Sequence, residues 1–269
     1  MISGTTELLA IVGSPIEQVK SPYNFNTWFE RQGKDASMIP VDLDEGSVDH
    51  FIGAMRAWRN LRGCVVTVPY KQDMAKRMDR LSERAAALGC VNVIRRESDG
   101  TLIGDMVDGD GFMNAACSKG FEPRGARALV IGAGGVGSAI AWALCEHEIL
   151  AITLADPDDV RLERLSALLG THFPRVATGA ALASLEPFDL VVNASPVGMT
   201  GNESPPVSDR LLATLNPRSL VADVVTAPDV TQFLKVARAA GCRIQTGGEM
   251  ARAQMGHLGA FMNMTPLHI

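Results

Sequence analysis

Residues 128–139 read Ala128-Leu129-Val130-Ile131-Gly132-Ala133-Gly134-Gly135-Val136-Gly137-Ser138-Ala139. Four apolar residues in a row, without polar alternation, predict a strand buried on both faces, as in a parallel sheet. The glycines that follow satisfy G-x-G-x-x-G at Gly132, Gly134 and Gly137, and Ile140 to Leu144 predicts the helix behind them. In that motif Gly132 permits the tight turn, Gly134 lets a pyrophosphate approach the backbone, and Gly137 lets the helix pack on the sheet. The N–H groups of the helix N-terminus then face the phosphate charge. A chain with 26 glycines meets such a pattern by chance, so context decides. Ala151 to Ala155 predicts the next strand, and Asp156 closes it 24 residues beyond Gly132. A carboxylate there accepts bonds from ribose hydroxyls and repels a 2′-phosphate. Pro157-Asp158-Asp159 adds two acids before the first arginine, Arg161. Gly132, Ala133, Gly134, Gly135, Val136, Gly137 and Asp156 therefore predict an NAD site rather than an NADP site. The bland alternative for Asp156 is a surface turn before Pro157.

Upstream of this motif, strands are predicted over Leu8–Val12, Met38–Leu43, Cys64–Val68 and Cys90–Arg95. Helices are predicted over Tyr23–Arg31, with Phe25, Trp28 and Phe29 on one face, over Val48–Trp58, with Phe51, Ile52, Met55 and Trp58 on one face, and over Leu81–Leu88. Downstream, Val160–Leu169 reads as helix and Leu190–Asn193 and Leu220–Val225 as strands. Val230, Phe233, Leu234 and Ala237 recur at helical spacing before Gly241, and Gly248–Met262 is helical in composition. Alternation of strand and helix predicts an α/β fold of two domains, an N-terminal α/β substrate domain and a Rossmann dinucleotide domain with a cleft between them. The expected boundaries are 1–109 with 245–269, and 110–244.

Composition narrows the function classes. The net charge is −5, and no basic run is longer than a pair, such as Arg95-Arg96 followed by Glu97, which offers no footprint for nucleic acid. No apolar run approaches the roughly 20 residues of a membrane span, and Met1-Ile2-Ser3-Gly4 opens no signal peptide, so a cytoplasmic protein is expected. Five scattered cysteines without a C-x-x-C pair read as reduced thiols. Asp105, Asp108 and Asp110 lack the spacing of a calcium loop, and the five histidines form no H-x-x-H, so no metal is expected. Cap or turn roles are expected for Asp105 and Asp110. Monomer and homodimer both stay open.

Several further segments carry a resemblance. Val66-Thr67-Val68-Pro69-Tyr70-Lys71 resembles the N-V-T-V-P-[FHY]-K motif of shikimate dehydrogenases, and Gly104-Asp105-Met106-Val107-Asp108-Gly109 resembles their G-D-N-T-D-G. Ser14-Pro15, Lys20-Ser21-Pro22, Asn92, Asn193-Ala194-Ser195-Pro196-Val197-Gly198-Met199 and Gly248 to Gln254 match in family order over nearly the whole chain. The resemblance implies reversible hydride transfer between a nicotinamide and a ring hydroxyl or ketone, with Lys71 and Asp108 as the catalytic pair. It implies Ser21, Thr67, Asn92 and Gln254 at the substrate, and Asn193, Ser195, Pro196 and Gly248 at the cofactor. An ammonium held at the reacting oxygen can supply or take the proton and stabilise alkoxide charge. The neighbouring carboxylate favours the charged lysine and desolvation opposes it, which leaves base and electrostatic roles both open.

The chain also departs from the family pattern. The first serine of S-x-S-P is Val19, the tyrosine of D-x-x-Y is Thr226, the asparagine before V-T-V-P is Val65, and N-T of the aspartate motif is Met106-Val107. Read as substrate-facing, these changes make the carboxylate side of the pocket less polar. The expected protein is therefore a shikimate dehydrogenase-like paralogue, NAD-linked, acting on shikimate, quinate or a related cyclic hydroxy acid. Its alternatives are an authentic shikimate 3-dehydrogenase of aromatic amino acid biosynthesis and an NAD-binding regulatory protein without turnover.

Overall fold

The computed structural model describes residues 2–179 and 182–269; Met1, where the sequence reading starts its first domain, lies outside them. The chain divides into two compact units, Met1–Val107 with Gln254–Ile269, and Asp108–Ala253. The divisions fall at 107/108 and 253/254, against 109/110 and 244/245 expected from the sequence.

Unit 1 contains β1 (Glu7–Gly13), α1 (Ser21–Arg31), β2 (Ala36–Asp42), α2 (Val48–Ala57), β3 (Leu61–Val66), α3 (Lys71–Ala75), β4 (Arg80–Leu81), α4 (Glu83–Leu88), β5 (Val93–Arg96) and β6 (Leu102–Asp105). Its sheet runs β2-β1-β3-β5-β6-β4. The first three strands are parallel, while β5 is antiparallel to both β3 and β6. Phe25 and Phe29 of α1 are buried in one apolar cluster with Val65, Val93, Val107, Leu258 and Met262. Leu81, expected in a helix, pairs as strand β4, because Ser82 caps α4 by accepting the Ala85 N–H at 3.2 Å. The Cys64–Val68 strand begins three residues earlier and stops at Val66, before the cis Val68–Pro69 bond.

Unit 2 contains α5 (Asp108–Ser118), β7 (Arg127–Ile131), α6 (Gly135–Glu146), β8 (Ala151–Ala155), α7 (Asp159–His172), β9 (Ala177–Gly179), β10 (Leu190–Asn193), α8 (Asp209–Leu212), β11 (Leu220–Asp223), α9 (Gln232–Ala239) and β12 (Arg243–Gln245). All of its paired strands are parallel, in the order β12-β11-β10-β7-β8-β9. Counted from β7, this is the doubly wound order 3-2-1-4-5-6, whose direction reverses between β7 and β10. The helix α10 (Gly247–Phe261) begins in unit 2 and ends in unit 1. It starts at a capping box: Glu249 N–H donates to the Thr246 hydroxyl at 3.3 Å and Thr246 N–H to the Glu249 carboxylate at 2.9 Å. Among the described residues, no helix is long and apolar enough to cross a membrane.

Asp105 ends β6 and accepts a bidentate pair from Arg84, with both bonds at 2.8 Å, together with the Ser82 hydroxyl and the Met106 N–H. It ties β6 to α4, a larger task than the turn role expected of it. Burial pushes its carboxyl up, but the Arg84 guanidinium and the other donors outweigh burial and hold it below the usual carboxylate range. A group so depressed stabilises the fold fully above its unfolded value, about 3.9, and loses that contribution as pH falls through the folded value. Arg84→Ala should therefore cost about 2 kcal/mol at pH 7, less than a fully buried pair because Arg84 keeps some solvent contact. The check is a urea titration, in which the deficit against wild type shrinks as pH is lowered toward 3.

Candidate functional site

In unit 2, two turns at the reversal point of the sheet lie against each other. Gly132 leaves β7 with φ +105°, in the left-handed region, and a Cβ there would stand 2.9 Å from the Ala194 carbonyl and the Ser195 nitrogen. A Cβ on Gly137 would stand 1.8 Å from the Gly132 oxygen and 3.3 Å from the Ala194 Cβ. These glycines bring the first turn of α6 onto the ends of β7 and β10. Gly134 and Gly135 have nothing within 4 Å of a Cβ position, and no side chain caps the N-terminus of α6. Open space beside uncapped N–H groups suits a pyrophosphate, so the residues present fit a dinucleotide. Asp156, at the end of β8, accepts the Ala133 N–H at 2.7 Å through one carboxylate oxygen and the Asp158 N–H at 2.9 Å through the other. The structure thus brings Gly132 to Gly137 and Asp156 together.

Asn193 ends β10, and Ser195 and Pro196 follow it on the same edge. Asn193 is fully buried; its amide donates to the Val197 carbonyl at 2.8 Å and to Asp223 at 3.1 Å, and its oxygen accepts the Ser195 hydroxyl at 2.7 Å. Gly248 lies in the first turn of α10, next to Gly247, whose Cβ would meet the Val224 and Val225 carbonyls at 2.4 Å. Thr226 is exposed in the loop after β11. Asp108 is buried as the first residue of α5, whose Gly109 comes so close to α6 that a Cβ would stand 2.4 Å from the Ala139 oxygen.

In unit 1, backbone bonds join the other predicted residues. Thr67 N–H donates to the Val12 carbonyl at 2.9 Å, the Thr67 carbonyl accepts the Tyr70 N–H at 3.1 Å, and the Lys71 carbonyl accepts the Val91 N–H at 2.9 Å. Buried Asn92 accepts the Val66 N–H at 2.7 Å on its carbonyl and the Val107 N–H at 2.8 Å on its side chain. Thr67, Lys71 and Asn92 are thereby fixed at one end of the sheet, and half-buried Lys71 opens α3. Ser21 opens α1, half-buried Val19 packs on the edge of the apolar cluster, and Gln254 is half-buried on α10.

Two readings change here. Val65 and Val107 do not offer a substrate-facing surface: they are 6% and 2% exposed and belong to the apolar cluster of α1 and α10. Val65 on β3 and Val107 after the end of β6 lie in that one cluster, so valine there fills core. Sequence reasoning also passed over Asp223 as a binding or positioning group. Its signal was an acid at the end of an apolar strand, the same signal that singled out Asp156. Burial pushes the Asp223 carboxyl up, against the Thr231 hydroxyl, the Val225 N–H and the Asn193 amide, which act to lower it.

Residues 11–94 match the model of the shikimate dehydrogenase substrate binding domain, and residues 128–201 match that of the saccharopine dehydrogenase NADP binding domain. The shikimate dehydrogenase (NADP(+)) of Geobacter sulfurreducens is 33% identical over 262 residues, 94% of this chain and 89% of the relative. Shikimate 5-dehydrogenase from Listeria monocytogenes, solved in complex with shikimate and NAD, superposes with a TM-score of 0.88 at 26% identity, covering 99% of this chain and 95% of that one. Quinate dehydrogenase from Corynebacterium glutamicum, in complex with NAD, gives 0.85 at 27% identity, covering 96% and 93%.

Proposed function

The chain belongs to the shikimate dehydrogenase family, and on that premise we propose that it catalyses reversible NAD-linked hydride transfer to and from a ring position of shikimate, quinate or a related cyclic hydroxy acid. As a member it is an NAD(P)-linked dehydrogenase of two α/β domains. The choice of cofactor, the substrate and the residue roles are our reading.

The observation that carries the cofactor choice is the 2.7 Å bond between Asp156 and the Ala133 N–H. It places a carboxylate against the glycine loop, where an adenosine ribose is expected and a 2′-phosphate would be repelled. Each carboxylate oxygen keeps a further lone pair for a ribose hydroxyl. In this reading Gly132 to Gly137 and Asp156 hold the adenosine and pyrophosphate, and Asn193, Ser195, Pro196 and Gly248 lie toward the nicotinamide.

A bound nicotinamide supplies or accepts the hydride, so the protein's own tasks are proton transfer and positioning. Lys71 would give the proton to the developing alkoxide, or take it in the reverse direction. Asp108 would orient that ammonium. Ser21, Thr67, Asn92 and Gln254 would hold ring hydroxyls and the carboxylate. Val19 and Thr226 mark where two hydrogen-bonding partners of the family pattern are missing.

Three measurements test this. The ratio of kcat/KM for NAD⁺ over NADP⁺ should be at least about tenfold, a gap of about 1.4 kcal/mol. Asp156→Asn should narrow it while keeping an acceptor for Ala133, whereas equal use of both cofactors by the native protein removes the reading. Lys71→Ala should lower kcat by roughly 10² to 10⁴ with dinucleotide affinity little changed. Asp108→Ala should act in the same direction, and the double variant should lose less than the sum. Near-native kcat in Lys71→Ala would take it out of the mechanism. Finally, a panel of cyclic hydroxy acids assayed by absorbance of the reduced cofactor should show weak turnover of shikimate and a better substrate elsewhere. Val19→Ser with Thr226→Tyr should raise kcat/KM for shikimate. Efficient native turnover of shikimate, unimproved by that pair, would show that other residues hold the carboxylate.

A further inference from the structure

The segment after β10 is held from below by a buried carboxylate. Asp223, at the end of β11, is 2% exposed and meets three neutral donors. One oxygen accepts the Asn193 amide at 3.1 Å and the Val225 N–H at 3.0 Å; the other accepts the Thr231 hydroxyl at 2.6 Å. Each donor leads to a different piece of backbone. Asn193 grips its own loop, through the Val197 carbonyl and the Ser195 hydroxyl. Val225 starts the loop after β11. Thr231, fully buried, caps α9 by accepting the Leu234 N–H at 3.3 Å. Gly198, with φ +101°, passes over the group, its Cβ position 3.5 Å from Thr231 and 3.8 Å from the Asp223 oxygen.

A doubly wound sheet takes one mononucleotide on each side of its reversal point. The glycine loop and Asp156 belong to the β7–β8 side, so the β10–β11 side, with Asp223 beneath it, takes the nicotinamide half. A buried carboxylate that receives only neutral donors is costly unless every donor stays in place. Its geometry therefore fixes theirs. We infer that Asp223 is a positioning residue: through Asn193 and Thr231 it holds the 194–198 segment in the shape that receives the nicotinamide riboside, without touching the cofactor. This rests on the reading of unit 2 as a dinucleotide domain, and the test separates the two.

The experiment measures, by calorimetry on the full-length protein, the dissociation constants of NADH, NADPH and ADP. ADP carries the adenosine and both phosphates but lacks the nicotinamide riboside. Asp223→Ala removes both acceptor oxygens and leaves the Asn193 amide, the Val225 N–H and the Thr231 hydroxyl without their shared partner. It should weaken the preferred reduced dinucleotide at least tenfold and ADP less than threefold. Thr231→Val, which removes one donor from a residue too deep to reach a ligand, should repeat the selective loss, and Thr231→Ser should restore it. That pair carries the test should Asp223→Ala fail to fold. Equal losses for ADP and dinucleotide, no loss, or failure of Thr231→Ser to recover would overturn the assignment of Asp223 alone. Wild-type protein that binds none of the three ligands would overturn the dinucleotide reading and this inference with it.

Discussion

No side chain fits between the first turn of α6 and the turn that leaves β7, since a Cβ on Gly137 would stand 1.8 Å from the Gly132 oxygen. That contact sets where α6 begins relative to the ends of the parallel strands, and neighbouring loops are arranged around it. Gly132 is closed on its other side by the Ala194–Ser195 peptide, which carries the constraint to β10. Asn193 passes it to Asp223 at the end of β11, and Thr231 passes it to α9. Gly247 repeats the same device against the Val224 and Val225 carbonyls, where α10 starts. Three successive strand ends are thus fixed by backbone meeting backbone, and Gly134 and Gly135 are left with open space above them. A surface that must accept a pyrophosphate needs its N–H groups placed in advance, and close packing beneath the loop does that.

The parts of the fold legible in the sequence were those whose cause is local. β8 and β10 match their expected ranges because Leu190-Val191-Val192 is an apolar run and Ala151–Ala155 is apolar but for β-branched Thr153, compositions at ease in a parallel sheet. The helices of unit 1 with an apolar stripe were equally clear, Phe25 and Phe29 being nearly inaccessible. What stayed hidden has a tertiary cause. The helix α5 opens Asp108-Gly109-Asp110-Gly111, which by propensity reads as a turn. Gly109 is there because α6 comes too close for any side chain, and nothing near it in the chain reports that distance. The strand β6 is four residues long and contains Gly104, whose Cβ would strike Val91 at 2.5 Å. A local signal does exist for the antiparallel β5–β6 pair: Asp99-Gly100, with Gly100 at φ +89°, is hairpin chemistry that strand–helix alternation does not contain.

The site divides in the same way. The glycine loop and Asp156 were found from spacing, since each residue answers a requirement of one turn. Lys71, Thr67 and Asn92 carry no such local mark, and only a resemblance over the whole chain singled them out. The structure supplies the physical link within unit 1: Val91 binds the Lys71 carbonyl, and the next residue, Asn92, binds both Val66 and Val107. Asp223 was missed because its importance comes from three partners at 193, 225 and 231, a convergence that no short window contains.

A departure from a family pattern acquires meaning only with its burial. Val65 pairs with Ile11 and Val93 in the sheet and shares a cluster with Phe25 and Leu258. A polar side chain there would need a partner that this cluster lacks, at a cost of about 1 to 3 kcal/mol if unmet. Val107 belongs to the same cluster, so both replacements put an apolar side chain in an apolar surround. Asn92 is untouched by either, because it holds residue 107 by the backbone N–H, which any side chain would leave in place. The two apolar replacements are therefore compatible with intact positioning of Thr67, Lys71 and Asn92. Val19, half-buried, and Thr226, exposed, are the departures that retain solvent contact. On the proposed function, a change in which substrate is held would fall to those two positions.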